Sequence, residues 1–194
     1  MKIFLLMTII VCVTFSQTYA GNIYIEGAGS YGDYGDAKKM AGFGVGLGYQ
    51  VVPRFNAWFH FLNGSATTFQ SGEKTAEYEH KIGYVSCEYM YPVSAIPLYW
   101  TTSLGAGIPS MKIYRFNNAD STVIKKKDYG FFAGIWTGAR YHFTQHVGAF
   151  ALVGYEMMTQ FQNKLSSSKI QGYQFQAGIT ATVFGKNSPV DDEY

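Results

Sequence analysis

The sequence is poor in charge: Asp, Glu, Lys and Arg make up 14% of its 194 residues, against about 25% in an average soluble domain. It is poor in cysteine, with two, and in proline, with five. Past residue 20 no apolar run approaches the ~20 residues that cross a bilayer as a helix. Nor does any segment there carry the 3.6-residue period of an amphipathic helix. These absences exclude a helical membrane protein and a disulfide scaffold, and they argue against an ordinary cytosolic enzyme. The formal net charge of +2 is too small to call for a nucleic-acid partner. What the chain has in quantity is aromatic side chains, at 18%, and 22 glycines. Its length allows one domain.

The first residues read as an address. Lys2 is followed by an apolar stretch from Ile3 to Phe15 and then Ser16-Gln17-Thr18-Tyr19-Ala20, the pattern of a secretory signal cleaved after Ala20. Cys12 would leave with it, and Val11 before that cysteine is not the small residue a lipid-anchor signal needs. The remaining chain then has Cys87 alone and forms no internal disulfide. Its stability has to come from a core or from a membrane. The expected organisation is a signal peptide over 1–20, one domain over 21–185 and a short tail over 186–194.

Beyond residue 21 the apolar residues recur with period two. Ala41, Phe43, Val45, Leu47 and Tyr49 alternate with Gly42, Gly44, Gly46 and Gly48, and Phe55, Ala57, Phe59 and Phe61 alternate with Asn56, Trp58 and His60. Strict alternation is the strand signal. It predicts eight strands, at about 22–30, 41–51, 54–63, 78–92, 98–110, 129–143, 147–161 and 171–184. The connections alternate long and short without exception, the short ones at Val52-Pro53, Ser94 to Pro97, and Thr144-Gln145-His146. Short turns at one end and long loops at the other are the habit of outer-membrane barrels.

Most charges fall in the long connections or the tail. Four of those left inside strands are Glu26, Glu88, Arg140 and Glu156, and parity puts each opposite its strand's apolar row. The expected fold is therefore an all-β, eight-stranded antiparallel up-and-down transmembrane barrel with apolar rows outward and polar groups inward. A soluble secreted barrel of the lipocalin or avidin type is the competing reading. It would leave Gly42, Gly44, Gly46, Gly48, Trp58, Trp136 and Phe150 as its solvent face. Aromatic residues also gather at both strand ends, near the short turns (Tyr49, Tyr89, Tyr91, Trp100, Tyr141, Phe143) and near the long loops (Tyr114, Phe116, Tyr129, Phe131, Phe161, Tyr173), as membrane-interface girdles do.

An eight-stranded lumen is just wide enough for side chains to fill it. Glu26, His60, Glu88, Arg140, Glu156, Gln174 and Gln176 are expected there with Tyr24, Trp58 and Trp136, as a hydrogen-bonded network. Arg140 is its expected centre and Glu88 the natural partner, with the glycines of the second strand making room. Such a plug argues against an open channel.

On Gly42-Phe43-Gly44-Val45-Gly46-Leu47-Gly48-Tyr49, on Thr144 to Phe150 and on Gly172 to Phe184, the sequence resembles the OmpA/OmpX-like outer-membrane β-barrel family of diderm bacteria, over essentially residues 21–185. The last segment looks like the signal by which barrels are handed to the outer-membrane assembly machinery. It departs from it in the opposite parity of Phe184 and in the ten residues that follow. The tail is too short for a peptidoglycan-binding domain, which removes a wall-anchoring role.

Catalytic chemistry is not visible. The His-x-Ser pair of PagL-like lipid A deacylases is missing at His60, His80, His142 and His146, no histidine or cysteine spacing suits a metal, and no cofactor is implied. The one local basic run, Lys125-Lys126-Lys127, reads as a solvated loop tip or as a contact for lipopolysaccharide phosphates or an external ligand. Expected partners are thus outer-membrane lipids and lipopolysaccharide, the assembly machinery and an extracellular ligand, with no nucleic acid, for a monomer. The expected function is structural or surface-interactive, not enzymatic, in the bacterial outer membrane. A porin- or OmpW-like conduit is the alternative and a lipid A-modifying enzyme a more distant one.

Overall fold

The computed structural model describes residues 21–34, 39–70, 73–93, 96–117, 122–160 and 170–185. The signal peptide and the tail from 186 onward lie outside them, as does Phe161. Eight strands run β1 (Ile23–Asp33), β2 (Lys39–Val52), β3 (Phe55–Gln70), β4 (Glu73–Pro92), β5 (Leu98–Asn117), β6 (Thr122–His142), β7 (Val147–Gln160) and β8 (Ile170–Phe184). Each pairs antiparallel with its chain neighbour, and β1 pairs with β8 to close the barrel.

Tight connections explain why one end is blunt. Between β2 and β3 the chain turns at Pro53 and Arg54, whose φ of 67° is left-handed. Between β6 and β7 the Thr144 hydroxyl accepts the N–H groups of His146 and Val147 at 3.1 and 3.0 Å, a side-chain substitute for a backbone turn.

The other end is uneven. β1, β2, β7 and β8 have 11, 14, 14 and 15 residues, whereas β4, β5 and β6 have 20, 20 and 21. Crossing hydrocarbon takes about 9–11 residues per strand, so β4–β6 overshoot by about 10 residues, roughly 20–25 Å of height once tilt is allowed for. With the upper part of β3 they form a wall above the rim. This corrects the sequence reading, in which residues 63–77 and much of 117–128 are loops. In particular, Lys125-Lys126-Lys127 lies within β6 and not on a loop.

The polarity is that of a sheet meeting hydrocarbon on its outside. Val45, Leu47, Phe59, Val85, Leu104, Ile108, Val153, Phe175 and Ile179 are all exposed on the outer face. Side chains facing the axis are buried, including Trp58, Trp136, Tyr84 and Phe132 with Glu26, Glu88, Arg140 and Glu156. Exposed Tyr89, Tyr91, Trp100, Tyr141 and Phe143 ring the blunt end, and Tyr31, Tyr129, Phe131 and Tyr173 the other. Tyr114 and Phe116 sit higher than that second ring, on the wall, because β5 continues past it.

Phe184 is accommodated by an irregularity. Ile23 pairs with Phe184 but Tyr24 with Thr182, so Val183 is an extra residue in β8, a bulge that resets the alternation. Val183 and Phe184 are consequently both exposed to the outside.

Candidate functional site

Two places concentrate chemistry: the lumen and the outer surface of the wall. The lumen is organised by Arg140 on β6. Its Nε donates to Glu88 Oε1 at 2.6 Å, Nη2 to Glu26 Oε2 at 3.1 Å and Nη1 to the Thr180 hydroxyl at 2.9 Å. The guanidinium lies over the rings of Trp58 and Phe150, 5.1 and 4.5 Å from their centroids, where cation–π attraction adds to the ion pairs. Glu88 is saturated further by Thr101 (2.6 Å), Trp58 Nε1 (2.8 Å) and Asn56 (3.2 Å). A buried charge is tolerated only when its lone pairs and protons are used in this way.

His60 extends the cluster. Its Nδ1 is 3.2 Å from Glu26 Oε1, and its Nε2 is 3.0 Å from the Ser86 hydroxyl. Gly46 and Gly48 on β2 provide the space: a Cβ at Gly46 would come within 2.8 Å of Glu26 and 2.9 Å of His60, and one at Gly48 within 2.6 Å of the Trp58 ring.

Glu156 does not join this cluster. Higher in the lumen it accepts hydrogen bonds from the Tyr34 hydroxyl at 2.6 Å and from Trp136 Nε1 at 3.0 Å, and among the described residues no cation is paired with it. Tyr34 lies just past the end of β1. Burial, with the Glu156 carboxylate beside it, holds its phenol well above the ordinary value, so it remains a proton donor to Glu156. Gln176 donates to Gln174 nearby. The seven polar residues expected in the lumen are therefore all inside it, as two groups bridged by rings. Trp58 stacks on His60, His60 on Tyr84 and Tyr84 on Trp136, at centroid distances of 5.6, 4.5 and 5.5 Å. This column spans the lumen between the groups.

The second place is the outer face of the wall. Because parity continues through β6, Lys125 and Lys127 point outward with Tyr129, while Lys126 belongs to the opposite face. Lys127 pairs in register with Lys112 on β5 and Lys125 with Tyr114. The Lys125 ammonium lies 5.4 Å from the Tyr114 ring centroid, and that of Lys127 lies 4.8 Å from that of Tyr129. Like charges directly opposite repel; Glu79 on β4, 3.5 Å from Lys112, relieves part of this. The result is a basic and aromatic strip directly above the exposed ring of Tyr129 and Phe131.

Sequence reasoning missed a third group. His80 on β4 is buried, and neither ring nitrogen has a hydrogen-bond partner. It lines a cavity with Met40, Met111 and Met158, residues on three other strands that share no spacing signature.

No family model matches the chain, and no curated protein matches its sequence. Solved structures do match in shape. Neisserial surface protein A superposes with a TM-score of 0.57 at 13% identity, over 84% of this chain and 97% of that one. A major outer membrane protein from Thermus thermophilus gives 0.55 at 9% identity, over 84% and 100%. The outer membrane protein OprG from Pseudomonas aeruginosa gives 0.52 at 12% identity, over 86% and 97%. At such identities the likeness speaks for architecture, and the architecture is that of the small OmpA/OmpX-like outer-membrane barrels that the sequence resembles.

Proposed function

We propose that this protein is a monomeric integral barrel of the bacterial outer membrane that works by surface contact rather than by passing solutes. The observation that carries this reading is the wall. Strands of 20, 20 and 21 residues hold Lys125 and Lys127 outward, beside Tyr114 and Tyr129, at the level where an outer leaflet ends and its phosphates begin. Clustered lysines near an anionic surface contribute about 1 kcal/mol each to attraction. An aromatic neighbour holds each ammonium in place.

The lumen supports the same reading, since the Arg140 cluster and the ring column set paired and bulky side chains across it. The protein would reach its membrane through the signal peptide and the assembly machinery. Closure between β1 and β8 removes the sheet edge that would otherwise draw barrels together. No enzymatic activity is proposed, and lipid A mass spectra should be the same with and without the protein.

The test is titration of the folded barrel, in zwitterionic detergent, with lipopolysaccharide. Binding should weaken as salt rises, and Lys125→Glu with Lys127→Glu should abolish it while heat-modifiable gel migration stays intact. Binding that ignores both substitutions would overturn the proposal. Solute passage in a liposome-swelling assay would instead support a conduit.

A further inference from the structure

The group around His80 has no part in that proposal. His80 is 4% exposed, and both its nitrogens are unpartnered. A buried imidazole left in this way gives up the hydrogen bonds that water would supply, so it calls for an explanation. Its surroundings are chemically unusual. Met111 stands directly opposite His80 across the β4–β5 ladder, where inward side chains have Cβ atoms about 4.5–5.5 Å apart. Met40 and Met158, from β2 and β7, line the same cavity and pack in one cluster with Met111. Three methionines and one histidine from four strands thus line one cavity. Asp128, buried at 3% and in register with Met111 on β6, has its Oδ1 engaged by the Tyr129 N–H.

We propose that His80, Met40, Met111 and Met158 form a site for a soft monovalent cation, Cu(I) or a metal of like chemistry, at the outer end of the lumen. Thioether sulfur selects Cu(I) over harder cations, and imidazole is a suitable companion ligand. Methionine is also the usual filler of irregular cores, but filling alone leaves unexplained a histidine with both nitrogens bare in a cavity lined by three methionines. A divalent oxygen-seeking ion does not suit this set, because neutral sulfur is a poor ligand for it.

The probe is Ag(I), added to protein extracted folded from outer membranes. The background is Cys87→Ser, since the exposed Cys87 thiol is a competing soft ligand. Ultrafiltration with elemental analysis should find one Ag(I) retained per chain. The ε-methyl resonances of Met40, Met111 and Met158 should shift on binding while that of Met90, lower in the lumen, stays put. Met111→Leu and His80→Phe should each weaken retention at least tenfold and leave heat-modifiable migration unchanged. If His80→Phe fails to fold, Met40→Leu and Met158→Leu, which keep size and polarity class, carry the same expectation. Absence of retained metal, retention that survives Met111→Leu and His80→Phe together, or shifts confined to other methionines would overturn the site.

Discussion

At the scale of the single residue, the lumen makes unequal demands on its polar groups. Arg140 holds two buried carboxylates at 2.6 and 3.1 Å, so Arg140→Leu leaves both Glu88 and Glu26 without a cation. Removing one partner of a buried pair costs about 3–5 kcal/mol, and that is the loss expected in urea unfolding from lipid vesicles, followed by tryptophan fluorescence. Adding Glu88→Gln to Arg140→Leu should return part of it, because fewer uncompensated charges remain. Glu156 is a contrast. It is held by two neutral donors, Tyr34 and Trp136, so Glu156→Gln keeps an acceptor for one of them. It should cost no more than about 1–2 kcal/mol in the same experiment. If Glu156→Gln proved worse than Arg140→Leu, the division of the lumen into a charged and a neutral group would be wrong. Arg140 and Glu88 could be paired from the sequence because both sit a few residues from short turns, with known parity. Thr180 and Tyr34 could not, since which strands face each other across a barrel depends on its shear and not on local pattern.

Among the elements, β6 carries the basic run. Over Thr122–Tyr129 it stays laddered to β5, with Lys127 opposite Lys112 and Lys125 opposite Tyr114, and the three lysines lie on that stretch. Three glutamates at Lys125, Lys126 and Lys127 reverse the charge of this stretch and should abolish lipopolysaccharide binding while the protein stays monodisperse in light scattering. The wall is legible in the sequence only in part, because the apolar pattern reads it as loops. Apolar alternation stops where hydrocarbon stops, yet the strands go on with their outward polarity inverted. Over 76–81, Glu77, Glu79 and Lys81 take the outward positions that Val85 and Cys87 hold lower down, while Ala76 and His80 stay buried. A rule that looks for apolar outward rows ends each strand at the membrane boundary.

For the whole molecule, the decisive property is which face of the sheet meets which medium, and a single substitution separates the alternatives. Leu104 is 61% exposed on the outer face of β5, near the middle of the apolar belt, while its neighbour Ser103 points into the lumen. Were this outer face bathed by water, Leu104→Arg would be a surface change of the kind that stays within about 0.5 kcal/mol. In a bilayer the same arginine faces hydrocarbon close to the midplane and should cost about 2–4 kcal/mol. That cost should shrink when the substitution is moved to Tyr129 or Trp100 at the aromatic rings, because the charge then reaches headgroups and water. Unfolding of the three variants from vesicles of fixed thickness measures this profile. A loss that peaks at Leu104 and falls toward both rings is the signature of a barrel standing in a membrane with its apolar rows outward. A flat profile would mean that this face never meets lipid, and the reading of lumen, wall and location would fall with it.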